Sequence, residues 1–345
     1  MIVVLGVDSH KRTHTIVAVD TLGRQLATLT VTANIQGHLR ALAWAARFEQ
    51  RRWAVEDCRH VTRRLETDLL CAGEHVIRVP AQLTATGRVT VRTPGKSDPI
   101  DALAVARAVL REPDLAVAHL DETTREIRLL VDHRERIVRE RTADQNRLRW
   151  FLHELDPDYQ PASLSRLRTL SRVHAWLATH DSLVAELATE LVERIRHATI
   201  RATQLETDIT RRVEQHTPSL LDIPGCGALT AAKLIGETGD PTRFRNKDAF
   251  AMFTGTAPIP IWSGSERYRL NRGGNRQLNA AIHRIAITQT RCHPDAQHFI
   301  TRHTTNGNTK REATRALKRK LANVIYRTLL TNTHTTQQPA QPHAA

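Results

Sequence analysis

Four acidic residues are placed where they could do chemistry. Asp8 closes the apolar run Val3-Val4-Leu5-Gly6-Val7, Glu56 closes Trp53-Ala54-Val55, and Asp98 and Asp101 bracket Pro99-Ile100. A three-residue spacing puts Asp98 and Asp101 on one face of a helix. Carboxylates that converge disfavour joint ionisation. Hard divalent cations with oxygen ligands, Mg²⁺ or Mn²⁺, relieve that repulsion. Two such ions about 4 Å apart can activate an attacking oxygen and stabilise a leaving oxygen at a phosphodiester. Each acid also has a plain structural role: Asp98 before Pro99 suits a helix N-cap, and Asp101 suits the first turn. Asp8 could close a turn, and Glu56 could be a surface acid at a strand end.

The elements around these acids give the four positions a common logic. Met1–Val7, Thr15–Asp20 and Gln25–Val31 are rich in Val, Ile and Thr and are separated by polar or glycine-containing turns, so they read as a three-stranded meander. The spacing of Leu39, Leu42 and Ala46 predicts a helix over 35–48. A strand at Arg52–Glu56, a helix at Thr62–Leu70, a strand at His75–Val79 and a helix at Pro99–Leu110 follow. That order is the one expected of an RNase H-like α/β layer, in which the first and fourth strands are neighbours. Asp8 and Glu56 would then lie side by side.

From Glu122 the pattern becomes helical. Ile127, Leu130, Val131, Val138, Leu148, Phe151 and Leu155 recur every three to four residues, and a second segment carries Val184, Leu187, Leu191, Ile195, Leu205, Ile209 and Val213. Two long amphipathic helices read as a helical hairpin or coiled coil, a spacer or dimer arm, or else as a helical subdomain packed on the core. Ile223-Pro224-Gly225-Cys226-Gly227 precedes a further helix and is similar to the turn of a helix-hairpin-helix motif. In such a turn, backbone N–H groups face a phosphate near Gly225 and Gly227. Residues 331–345, rich in Thr, Gln, Pro and Ala, read as a disordered tail.

Charge divides the chain as well. The formal net charge is +14, and residues 241–345 hold 17 Lys and Arg against four acids, Asp248, Glu266, Asp295 and Glu312. A near-neutral body with a strongly basic final third points to a polyanionic partner, most simply nucleic acid. With 40% hydrophobic residues the chain is not wholesale disordered, and it has no apolar run that could cross a membrane. Cys58, Cys71, Cys226 and Cys292 are scattered without a Cys-x-x-Cys pair, and the first residues lack a signal-peptide pattern. Both features fit a reducing cytoplasm.

Three short motifs carry a more specific likeness: Gly6-Val7-Asp8-Ser9-His10-Lys11, Val55-Glu56, and Lys96-Ser97-Asp98-Pro99-Ile100-Asp101-Ala102. Downstream, in order, come the Ile223–Gly227 turn, Gly239-Asp240, Arg243-Phe244, Ala257-Pro258, Ser263-Gly264 and Arg272-Gly273-Gly274-Asn275-Arg276-Gln277-Leu278. The sequence resembles the DEDD transposases of the insertion-sequence-110 family over roughly residues 2–330. It departs from many members after Glu56, where Asp57-Cys58 replaces a Thr-Gly pair. The resemblance implies a RuvC-like catalytic domain (1–115), a helical coiled-coil or dimerisation region (116–217) and a mainly helical C-terminal transposase domain (218–330). It implies a metal-binding tetrad of Asp8, Glu56, Asp98 and Asp101. It also implies a nucleophile, Ser263, which forms a covalent 5′-phosphoserine link to DNA. A structured guide RNA would act as a nucleic-acid cofactor, with donor and target DNA as substrates and a homodimer or homotetramer as the assembly.

From the residues alone, Ser265 competes with Ser263. No His or Lys adjoins either serine, so activation must come from the acidic site in a composite centre or from bound phosphate. Arg267, Arg269, Arg272 and Arg276 suit phosphate clamping. Two other readings stay open: a metal-dependent nuclease or junction resolvase using water, and a non-catalytic nucleic-acid-binding protein.

Overall fold

The computed structural model describes residues 2–56, 61–80, 83–84, 97–112, 115, 117–119, 121–263, 265–271 and 273–337. For 261–270 and 333–337 it describes the backbone alone. The chain forms two compact units, Met1–Asp121 with Thr242–Arg245, and Glu122–Pro241 with Asn246–Ala345. The helical middle and the C-terminal third, expected as separate domains, therefore pack into one unit.

The first unit is built on a five-stranded sheet. Strands β1 (Val3–Ser9), β2 (Thr13–Val19) and β3 (Gln25–Thr32) form the antiparallel meander. Helix α1 (Ile35–Ala45) leads to β4 (Arg51–Glu56), and α2 (Arg63–Cys71) leads to β5 (Val76–Val79). The strand order is β3-β2-β1-β4-β5, with β4 parallel to both β1 and β5. This is the RNase H-like arrangement the element order predicts. Helix α3 (Asp98–Arg111) follows β5 among the described residues.

Alternation along β1 sorts its side chains to two faces. Val3, Leu5 and Val7 join Ile16, Trp53 and Val55 in one core cluster. Val4, Val17, Val19 and Ala54 pack instead with Ala102, Val105 and Ala106 of α3. Gly6 lies on the α3 side, and a Cβ there would stand 2.2 Å from the Ala102 carbonyl oxygen and 2.6 Å from the Ala106 nitrogen. The missing side chain is what lets α3 lie directly on β1.

On the opposite face, His14 of β2 is buried and stacks on His38 of α1, with ring centroids 5.3 Å apart. His38 Nδ1 lies 2.5 Å from Asp68 Oδ2 of α2. Burial, reinforced by the charges of His38 and His10, pushes the His14 imidazole down to about 4. The unfolded chain protonates His14 near pH 6.5, whereas the folded chain resists until about pH 4. Stability is thus unaffected by this group above pH 6.5 and falls as pH drops below it, by about 2 kcal/mol at pH 5. Urea unfolding of wild type and His14→Phe at pH 7.5 and 5 checks this. An equal acid loss in both proteins would show that His14 is not the cause.

The second unit begins with α4 (Glu122–Leu155) and α6 (Leu183–His216), each 34 residues and about 50 Å long. Ion pairs Arg134–Glu206, Arg194–Asp144 and Arg212–Glu126 set the two antiparallel to each other. They form a hairpin within the chain. The short α5 (Leu167–Leu177) packs with α6, and Trp176 stacks on Tyr159 with centroids 3.8 Å apart. Helix α7 (Ala228–Thr238) packs against both long helices. Its Lys233, only 3% exposed, is held by Asp132 at 3.0 Å and Glu135 at 2.9 Å.

The remaining elements are α8 (Lys247–Phe253), the strands β6 (Pro258–Ser263) and β7 (Ser265–Leu270), α9 (Arg276–Cys292), α10 (Pro294–Thr305) and α11 (Lys310–Gln337). The region is mainly helical, as expected, and the β6–β7 hairpin within it is weakly marked in the sequence because Pro258 and Pro260 interrupt the strand pattern. A correction concerns the tail: residues 331–337 continue α11. The Thr331 hydroxyl donates to the Arg327 carbonyl, and Asn332 Nδ2 donates to Thr328 O and to Ser219 Oγ, so side chains secure the last turns. Residues 338–345 lie outside the described residues. Among those described, no helix is long and apolar enough to cross a membrane.

Candidate functional site

Asp8 lies inside β1, one residue before its end, and the register Val7↔Val55 sets it beside Glu56 of β4. Both lie two positions beyond residues facing α3, so both project to that face. The close approach at Gly6 brings the first turn of α3 to the same end of the sheet. Ser97 holds the N-cap position there, with Asp98 and Asp101 in the first turn, where the helix dipole favours negative charge.

The four acids are not equivalent. Asp8 and Asp101 are each 6% exposed, whereas the Asp98 side chain is half-exposed. Burial raises the Asp8 carboxyl above the usual carboxylate range, and the charges of Asp101 and Asp98 add to the rise; His10 opposes it. Glu56 Oε1 accepts a hydrogen bond from the Thr84 hydroxyl at 2.9 Å. Among the described residues, the donors that gather within 4.8 Å of one another are Asp8, Asp98 and His10. Sequence reasoning quoted His10 within its motif but gave it no role. The available signal was the spacing Asp8-Ser9-His10, because residues two apart on an extended chain share a side.

The donor set fits a divalent cation. A buried carboxylate whose ionised form is opposed by burial and by two acidic neighbours is a group that a cation would stabilise. Two oxygen donors from separate elements and one imidazole nitrogen converge there. Asp57 and Cys58, the departure next to Glu56, lie outside the described residues.

In the second unit, Ser263 and Ser265 are backbone register partners at the end of the β6–β7 ladder. The side chains of Ser263, Ser265, Arg267 and Arg269 lie outside the described residues, as does all of Arg272. Arg276 opens α9 and is exposed, one residue after Asn275, whose carbonyl side chain caps the helix by accepting from Gln277 and Leu278. Asn275 Nδ2 also donates to buried Glu237 at 2.7 Å. In the glycine turn, Gly225 has φ +81° and packs on α9, where a Cβ would lie 3.0 Å from Thr288 Cβ. Gly227 occupies the N-cap position of α7 with nothing within 4 Å of its Cβ direction. Of the two glycines, Gly227 is the one with room for a close-lying phosphate.

Two family models match the chain in tandem. Residues 5–157 match DEDD_Tnp_IS110, described as a transposase, and 218–301 match the transposase IS116/IS110/IS902 family. A 44.8 kDa protein of insertion element IS116 from Streptomyces clavuligerus, itself described as uncharacterized, is 24% identical over 333 residues, 82% of this chain and 84% of its own length. The pilin gene-inverting protein of Moraxella bovis is 29% identical over 150 residues, 41% of this chain and 47% of its own. The structure of Thermus thermophilus RuvC in complex with a Holliday junction substrate aligns with 34% of this chain and all of its own, at 18% identity and a TM-score of 0.28. The two matched regions cover most of the sequence and fall in the order in which its motifs occur. The chain belongs to the IS116/IS110/IS902 family of transposases.

Proposed function

We propose that this protein is the recombinase of an insertion element, cutting and rejoining donor and target DNA under the direction of a structured RNA. The observation that carries the reading is the convergence of Asp8 and Asp98, with Asp101 buried nearby, at the end of an RNase H-like sheet. Mg²⁺ or Mn²⁺ bound there supplies Lewis-acid activation of phosphate oxygens. Asp8, Asp98, Asp101 and Glu56 hold and orient that charge, with Asp8 as the buried anchor.

In this reading Ser263 Oγ attacks a DNA phosphorus. The new O–P bond displaces the 3′-oxygen, which leaves as a protonated hydroxyl, and the 5′-phosphate stays on the serine. Attack by the 3′-hydroxyl of the other DNA strand then reforms a phosphodiester and returns the proton to Ser263. Arg267, Arg269, Arg272 and Arg276 neutralise the phosphates, and Gly227 admits the backbone beside the N-terminus of α7. Two DNA ends require two active sites, which a homodimer or homotetramer provides.

The test incubates protein, Mg²⁺, element-end DNA and the RNA encoded beside the element, then resolves products under denaturing conditions. A protein–DNA adduct is expected with wild type and Ser265→Ala and is expected to vanish with Ser263→Ala. Cleavage without any adduct would instead support a water-using nuclease or resolvase. Binding that weakens steeply with salt, with no cleavage and no effect of Asp98→Ala, would support a non-catalytic binder.

A further inference from the structure

We propose that His10 is a nitrogen ligand of the cation held by Asp8 and Asp98, and that it makes this centre selective for Mn²⁺ over Mg²⁺. The inference rests on the carboxylate site proposed above and assigns its metal preference.

His10 lies just past the end of β1, and its backbone N–H donates to the Thr13 carbonyl at 2.9 Å, closing the turn into β2. That turn holds the imidazole over the strand end. Nε2 lies 3.1 Å from Asp8 Oδ2 and 3.4 Å from Asp98 Oδ1. Neighbouring ligands of an octahedral ion bound at about 2.1 Å are about 3.0 Å apart, so both separations are close to the edges of one coordination shell. A single Nε2–H has one proton to offer two carboxylates. As a lone-pair donor, the same nitrogen instead shares a cation with both.

The chemistry of the third donor sets the preference. Mg²⁺ favours oxygen ligands and near-ideal octahedral geometry, and it gives up water reluctantly. Mn²⁺ shares the preference of Mg²⁺ for carboxylate and water oxygens, but as a first-row transition ion it accepts an imidazole nitrogen more readily. Exchanging one oxygen donor for nitrogen therefore penalises Mg²⁺ more. His10 and Asp98 are half-exposed above the buried Asp8, which leaves the ion open to solvent and to a substrate oxygen.

Metal binding by the full-length protein tests this without any DNA reaction. Mn²⁺ is titrated into metal-free protein, with free Mn²⁺ followed by electron paramagnetic resonance and with Mg²⁺ as competitor. Pulsed spectra of protein labelled with ¹⁵N-histidine then report nitrogen bound to the ion. Wild type is expected to show the ¹⁵N coupling and to favour Mn²⁺. In His10→Ala the coupling should disappear and Mn²⁺ affinity should fall by at least roughly tenfold, the low end of the cost of losing even a group that only orients a ligand, with little change for Mg²⁺. His10→Asp, which restores an oxygen donor, should shift preference toward Mg²⁺. Absence of ¹⁵N coupling in wild type, or an equal loss of both ions in His10→Ala, would overturn the assignment. Asp8→Asn separates this failure from that of the underlying site: Mn²⁺ binding that survives it shows that the carboxylate centre itself is misplaced.

Discussion

Asp8→Asn is expected to lower metal-dependent cleavage of element-end DNA by about a thousandfold, the upper range for removing one electrostatic contact to a reacting phosphate. The same substitution should leave the fold as stable as wild type, or more so. Asp8 is buried, and its ionised form is opposed by burial and by the charges of Asp101 and Asp98. A neutral amide of the same shape removes that repulsion in the metal-free protein. Opposite signs in activity and stability are the mark of a residue kept for function at a structural cost. Single-turnover cleavage and urea unfolding, measured on one preparation, decide it. Cleavage within tenfold of wild type would remove Asp8 from the centre, and a large loss of stability would make it a structural residue.

Gly6→Ala should be damaging from a position that offers no functional group. The added Cβ meets the Ala102 carbonyl oxygen and the Ala106 backbone nitrogen, so relief requires α3 to move off β1. Overpacking of this kind costs about 3 kcal/mol. Lifting α3 also carries Asp98 and Asp101 away from Asp8, so Mn²⁺ binding should fall together with stability. Ala106→Gly should not rescue the variant, because the tightest of these contacts is backbone and remains. Gly227→Ala is the matched control, since its Cβ would meet nothing within 4 Å. Equal urea midpoints for Gly6→Ala and wild type would show that helix and strand have slack at this crossing.

The Val, Ile and Thr content of β1 to β3 and the helical spacing of α3 are written locally, whereas in α1 the spacing located the helix but not its buried face: Leu39 is exposed, and Ala41 and Ala45 are buried. The element order then restricts the sheet to few topologies, which is why Asp8 and Glu56 could be paired across β1 and β4 before their register was seen. The long helices were equally legible. Their partner was not, because an amphipathic stripe says that it must be covered without saying by what. Complementary charges such as Arg134 with Glu206 show that each of the two long helices covers the other within one hairpin. The β6–β7 hairpin was hidden for a related reason: two prolines weaken the local strand pattern, while the ladder is stabilised across strands.

The site divides along the same line. Residue types and order along the chain determined that carboxylates would gather at one sheet end, and that the basic third would carry Ser263 and the arginines. Tertiary structure decided which donors meet. One oxygen of Glu56 accepts from Thr84, while His10 comes within reach of both Asp8 and Asp98. Such selection depends on differences of an ångström or two, set by the crossing of α3 over Gly6 and by the turn that closes at Thr13. Composition and spacing act through averages over many residues, whereas coordination acts through individual distances, and only the folded chain sets those.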